Sequence, residues 1–283
     1  MKTGNYVRDI DALNTRIISL NTESCDFKNL YIDSAENDPN NEIKYLIENL
    51  DELEKAGKLA IIVGHIPDEC SRQYQQRFRA ILERYQKTVR LNLFGHTHRD
   101  IFKVVSSTNK HHLDPIGVLT VCGSITSFLV GHPSYCVYEL DKETMLPVSR
   151  QTYFFDLDEA NASGTPEWKL HTDWTEDYEM ADLSPSEYAS LASRISASED
   201  TAKQFIDNAS RTAGETESCD STCRNDTFCE SMTLDPKTLA FCRGDKYYDW
   251  TGNFLSSLRF AMQDQWVREV DQTPEIQTSE FIN

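Results

Sequence analysis

Two apolar runs in this 283-residue chain stop at the same pair of residues. "LAIIV" (59–63) runs into Gly64-His65, and "VRLNLF" (89–94) runs into Gly95-His96-Thr97-His98. A buried strand ending on an imidazole places a neutral nitrogen ligand at the rim of a sheet. Three such imidazoles suit a metal such as zinc, iron or manganese. Glycine ahead of the imidazole lets the backbone turn sharply and approach a ligand closely. His96 and His98, two residues apart, can project to one side of an extended segment. A histidine that merely packs at a strand end explains one such residue better than three. The other four read as solvated side chains, His111 and His112 in a polar turn and His132 and His171 in loops.

Period and punctuation show which elements would position these histidines. "TRIISLN" (15–21) is a short buried strand. A helix follows, capped by Asp38 or Asn40, with an apolar stripe of Ile43, Leu46, Ile47, Leu50 and Leu53 and a stop at Gly57. A second amphipathic helix over 71–87 carries Tyr74, Phe78, Ile81, Leu82 and Tyr85 between the two histidine-bearing strands. Strand and helix in alternation predict an α/β sheet with covered faces, and ligands gather beyond the carboxyl ends of such strands. After Asp100 come short strands, "IFKVV", "IGVLTVC", "YCVYEL" and "VSRQTYFF", and around residue 160 the sheet pattern ends. From Ser184 the chain reads as capped helices, then a cysteine cluster, and from about Trp250 a tail of moderate helical character.

A hydrophobic fraction of 39% and an aromatic fraction of 10% are those of a folded protein. The net charge of −18, with no cluster of Lys or Arg, disfavours nucleic-acid polymers and anionic membranes as partners. No stretch approaches the ~20 apolar residues of a membrane span. The first twenty residues lack the apolar core of a signal peptide. Eight cysteines and sequons at Asn161, Asn208 and Asn225 nevertheless point to an oxidising, exported setting. The gaps between Cys219, Cys223, Cys229 and Cys242 lack the paired spacing of a structural zinc site, and leave three disulfide pairings open. Cys122 and Cys136 flank a turn between two candidate strands and could be cross-strand partners.

Gly64-His65 and Gly95-His96-Thr97-His98 resemble the last two metal-binding blocks of the calcineurin-like metallophosphoesterases. "RIISLNTESC", "IIVGHIPDEC", "FGHTHRDIFKV" and "LDEANASGTPEW", with the cysteine cluster, resemble the acid sphingomyelinase branch, over about 15–242. The resemblance implies the C-terminal half of a metallophosphoesterase α/β sandwich over 1–165, a helical, disulfide-linked subdomain over 166–250, and a tail over 251–283. It implies two metal ions, usually zinc, and hydrolysis of phosphodiesters such as sphingomyelin to ceramide and phosphocholine at membrane surfaces, in a secreted or lysosomal protein. By position His65 and His96 would bind one metal and His98 the other. The implied pairings are Cys25 with Cys70, Cys219 with Cys223, and Cys229 with Cys242.

The family's earlier blocks, Asp-x-His, Gly-Asp-x-x-Asp and Gly-Asn-His, are not found. Gly244-Asp245 comes too late, and Gly4-Asn5 is followed by Tyr6. With them go the carboxylate ligands, the Asn ligand and the histidine expected to protonate the leaving group, so no catalytic residue is assigned. The expectation is a truncated, inactive form with an exposed sheet edge, apolar surface and poor solubility. Its rivals are a non-catalytic secreted binding paralogue and a related enzyme that cuts nucleotide phosphodiesters.

Overall fold

The computed structural model describes residues 3–244, apart from 27–37, 39, 69, 71, 109–113, 129–130, 213–214 and 235. The expectations for His111, His112 and the tail beyond 250 lie outside the described residues. Nine strands are described: β1 (Tyr6–Ile10), β2 (Thr15–Ser19), β3 (Leu59–Val63), β4 (Val89–Phe94), β5 (Ile101–Ser106), β6 (Pro115–Val121), β7 (Ser134–Leu140), β8 (Pro147–Phe154) and β9 (Lys169–Asp173). The helices are α1 (Glu42–Ala56), α2 (Arg72–Arg84), α3 (Leu157–Ser163), α4 (Trp174–Asp177), α5 (Pro185–Ala197), α6 (Glu199–Ser210), α7 (Ser221–Met232) and α8 (Pro236–Arg243).

The first six strands form one sheet in the order β1-β2-β3-β4-β6-β5. Its centre, from β2 to β6, is parallel, and β1 and β5 close the two edges antiparallel. α1 and α2 bury their apolar stripes on one face, where Leu46, Leu50, Phe78 and Leu82 meet Ile18, Ile62 and Phe94. Asp38 caps α1 by accepting the amides of Ile43 and Lys44, and Gly57 ends the helix in the left-handed conformation. The opposite face is covered in two parts. Near β3 and β4, Ile61 and Leu91 pack with Met145 and with Tyr138 and Leu140 of β7. Near β5, Phe102 and Val104 enter a second core with Trp174, Tyr188, Leu191 and Phe205 of the C-terminal helices.

The smaller sheet, in the order β7-β8-β9, extends past the expected end of the sheet pattern near residue 160. β9 escaped notice because "KLHTD" is exposed or half-buried for most of its length and does not alternate. β1 was likewise unforeseen, since "YVRDI" is an exposed edge strand with no buried face. All eight cysteines pair, as Cys25–Cys70, Cys122–Cys136, Cys219–Cys223 and Cys229–Cys242. Cys122 and Cys136 are not cross-strand partners within one sheet: Cys122 directly follows β6 and Cys136 sits in β7, so their bridge joins the two sheets.

Candidate metal centre

β3 and β4 are parallel neighbours, so the turns that follow them emerge side by side. His65 Nε2 and His96 Nδ1 lie 3.3 Å apart, with the ring planes nearly perpendicular. Two nitrogens each about 2.0–2.1 Å from a tetrahedral zinc ion stand about 3.3–3.4 Å apart. The pair therefore has the spacing of one edge of such a site. The same separation allows a hydrogen bond when one of the two nitrogens carries a proton.

His98 faces elsewhere. Its Nδ1 is 2.7 Å from the carbonyl oxygen of Phe128. A carbonyl only accepts, so Nδ1 carries a proton, and in the neutral ring this leaves the lone pair on Nε2, the tautomer in which an imidazole can ligate a metal through Nε2. His96 and His98 thus do not share one side of an extended segment. The Thr97 amide donates to the Gly95 carbonyl at 2.9 Å, and His96 between them takes φ 72°, so the chain makes a γ-turn there. His98 follows with φ 59°. The sharp turn falls on the histidines themselves and not on the glycine before them.

Of the two glycines, Gly64 acts through size, whereas a Cβ on Gly95 would make only an ordinary contact. A Cβ on Gly64 would lie 2.6 Å from Cε1 of Phe94, and one on Gly95 would lie 3.6 Å from Nδ1 of His65. Gly64 therefore allows the end of β3 to pass over Phe94. The buried Thr22 hydroxyl accepts the amides of His65 at 3.0 Å and Ile66 at 2.8 Å, fixing the first turn.

The second turn is fixed from its far side. Asp100, 2% exposed, accepts from Arg150 Nη2 at 2.6 Å, from the Thr152 hydroxyl and from Trp174 Nε1 at 3.4 Å. The Arg150 guanidinium lies 3.6 Å from the centre of the Trp174 ring, a desolvated cation–π contact. The Asp100 amide donates to the Ala209 carbonyl, and Arg211 Nη1 donates to the His98 carbonyl. Thr22, Asp100, Phe128 and Arg211 were not singled out in the sequence. Asp100 lies two residues past His98 and Thr22 three residues past β2, whereas Arg211 carries no local signal.

Of the remaining histidines, the described two, His132 and His171, are half-buried and not solvated. His132 is half-buried and accepts the Leu157 amide at Nδ1. His171 lies in β9 beside Phe154, and burial pushes its pKa down. Of the sequon residues, Asn161 is exposed on α3, Asn225 is half-buried on α7, and Asn208 donates its side-chain amide to the Tyr178 hydroxyl.

Among the described residues, no group of three or more His, Cys, Asp or Glu side chains is placed to hold a metal ion. The residues present fit one edge of one site and one further imidazole, which is less than the three protein ligands a catalytic zinc normally takes.

A family model described as the acid sphingomyelin phosphodiesterase C-terminal region matches residues 108–248. The chain is 34% identical over 188 residues to sphingomyelin phosphodiesterase 2 of Caenorhabditis elegans, covering 64% of this chain and 30% of that protein. It is 27% identical over 234 residues to the sphingomyelin phosphodiesterase of Homo sapiens, covering 81% and 37%. To the human cyclic GMP-AMP phosphodiesterase SMPDL3A it is 26% identical over 250 residues, covering 83% and 54%. The match thus takes in about a third to a half of each relative's length.

Proposed function

The chain belongs to the acid sphingomyelinase-type family, and from that premise we propose that its three strand-end histidines serve the zinc-dependent hydrolysis of a phosphodiester lipid such as sphingomyelin. The observation that carries this reading is the 3.3 Å approach of His65 Nε2 to His96 Nδ1 at the carboxyl ends of adjacent parallel strands. His65 and His96 would hold one zinc ion, and His98, through Nε2, a second. Bound zinc would supply an acidified water and offset the charge of the phosphodiester. The protein's own part is to fix the three imidazoles: Thr22 holds the backbone of His65, and the Phe128 carbonyl selects the tautomer of His98.

In this reading 1–165 is half of a catalytic domain, 166–250 a helical subdomain and 251–283 a tail. Three imidazoles divided between two ions fall short of a catalytic ligand set, so the 283-residue polypeptide on its own is inactive or nearly so. Four disulfides support a secreted or lysosomal setting, and no described helix is long and apolar enough to cross a membrane. The test incubates the purified chain and zinc with sphingomyelin vesicles and, separately, with cyclic GMP-AMP. The expected result is no turnover of either above the uncatalysed rate, with zinc uptake lost on His65→Ala. Turnover of sphingomyelin would overturn the inactivity but keep the substrate, and turnover of the cyclic dinucleotide alone would overturn the lipid. The shortage of ligands favours a second reading, a non-catalytic binding protein, and zinc uptake without turnover in the intact native protein would establish it.

A further inference from the structure

We propose that Arg211 is a positioning residue for His98, clamping the backbone that carries the imidazole to the end of α6 and to His132. The proposal deepens the reading above and rests on it only for the role of His98. Arg211 caps the end of α6 and is 1% exposed. Its Nη1 donates to the carbonyls of His98 at 3.0 Å and Ala209 at 2.8 Å, and its Nε donates to the carbonyl of His132 at 2.8 Å. The first of these bonds holds His98 in the left-handed region, which a residue bearing a side chain enters only when its surroundings enforce it. The third holds the carbonyl of His132, four residues past Phe128, whose own carbonyl accepts the hydrogen bond from Nδ1 of His98. One guanidinium therefore ties the His98 carbonyl to those of Ala209 and His132.

The 123–132 loop is cut to fit this clamp. A Cβ on Gly123 would lie 2.6 Å from Arg211 Nη1, and one on Gly131 would fall on the Ser210 carbonyl oxygen. A lysine could not replace the clamp, because a single ammonium cannot reach three carbonyls with the fixed fork of a guanidinium.

The test uses the 283-residue chain labelled with ¹⁵N-histidine, first in chelator, and reads the His98 tautomer by long-range ¹H–¹⁵N correlation, with His98→Gln to assign the signal. The expected wild-type signal is a single tautomer protonated at Nδ1, and Arg211→Met should turn it into a tautomer average. Arg211→Lys should fall between them, and it carries the same reading should the methionine variant not fold. Arg16→Met is the control, since Arg16 is also a buried, paired arginine but binds Asp9 and Glu52 at the far edge of the sheet. It should lower Tm and leave the His98 signal alone. An averaged wild-type signal, an unchanged signal in the Arg211 variants, or an equal change in Arg16→Met would each overturn the proposal. A zinc titration of the same samples should show affinity about 10–100-fold weaker in Arg211→Met, the usual effect of losing a residue that orients a ligand. A wild-type chain that takes up no zinc contradicts the functional reading instead, and the tautomer spectra still decide the role of Arg211.

Discussion

The two Gly-His turns, whose histidines are 31 residues apart, meet at one point but are built on opposite plans. The turn after β3 is supported from within its own sheet. Gly64 passes tightly over Phe94 and donates to the Leu93 carbonyl, and Thr22, just beyond β2, accepts the next two amides. The turn after β4 is wound into left-handed backbone at both histidines and is supported from outside. Its partners are the 123–132 loop, the buried Asp100–Arg150 pair and the end of α6. The first histidine thus comes with the sheet, whereas the turn that carries the other two depends on residues from 30 to 113 positions after His98. The C-terminal helices are thus part of the site's scaffold as well as a neighbour to it.

The sharpest way to break this contrast is to remove the ion pair beneath the second turn. Asp100→Ala leaves the fully buried Arg150 without its carboxylate and should cost about 3–5 kcal/mol, read as a fall in denaturation midpoint. Gly131→Ala comes next. A methyl group there has a left-handed backbone at φ 62° and the Ser210 carbonyl against it, so a loss of about 3 kcal/mol is expected. It should also disturb the His98 ring signal and spare that of His65. Thr22→Val tests the other turn. It strips the acceptor from two amides and should cost about 1–2 kcal/mol, disturbing His65 and sparing His98. If Gly131→Ala and Thr22→Val disturb both histidines alike, the two turns are not independently supported.

Much of this plan was legible in the sequence, and the division follows the same line. The stripes of α1 and α2 and the strands between them follow from period alone, because one side of each packs in a single core. The pairing of His65 with His96 came from the resemblance to the metallophosphoesterases and not from period or spacing, and the fold sets the two rings 3.3 Å apart at the ends of adjacent parallel strands. β1 and β9 were missed because edge strands with exposed faces carry no alternation. The γ-turn at His96 was missed because glycine stood beside it as the more obvious place to bend. Arg211 was out of reach, since an arginine ending an amphipathic helix looks like any solvated helix terminus. Only the fold shows that it is buried against the carbonyl of His98.

The smallest expected effect concerns the helical face behind the first turn. Glu42 is buried and accepts hydrogen bonds from Tyr74 and Ser24, with Asp38 nearby. Burial, reinforced by Asp38, pushes its pKa above the ordinary 4.5. A raised carboxylate pKa favours the neutral acid in the folded state. The stability it contributes is therefore complete below the unfolded value near 4.5 and is lost as pH rises through the folded value. Glu42→Gln should remove that loss, so the variant's advantage over the wild type should grow from acid toward neutral pH. An advantage that stays constant with pH would contradict the burial of an ionising carboxyl at this position. The lowered carboxyls of Asp9 and Glu52, paired with Arg16, act in the opposite sense and cancel in the comparison.

The proposed function stands on His65 and His96 forming one edge of a zinc site. The most direct test is a zinc titration of the 283-residue chain beside His65→Ala, His96→Ala and Thr22→Val. The expected result is saturable uptake that either histidine substitution weakens at least about tenfold, with a smaller loss for Thr22→Val, whose effect reaches the metal only through His65. Zinc uptake indifferent to both histidines, or no uptake in the wild type, would contradict it and leave the 3.3 Å contact as a hydrogen bond between two packed imidazoles.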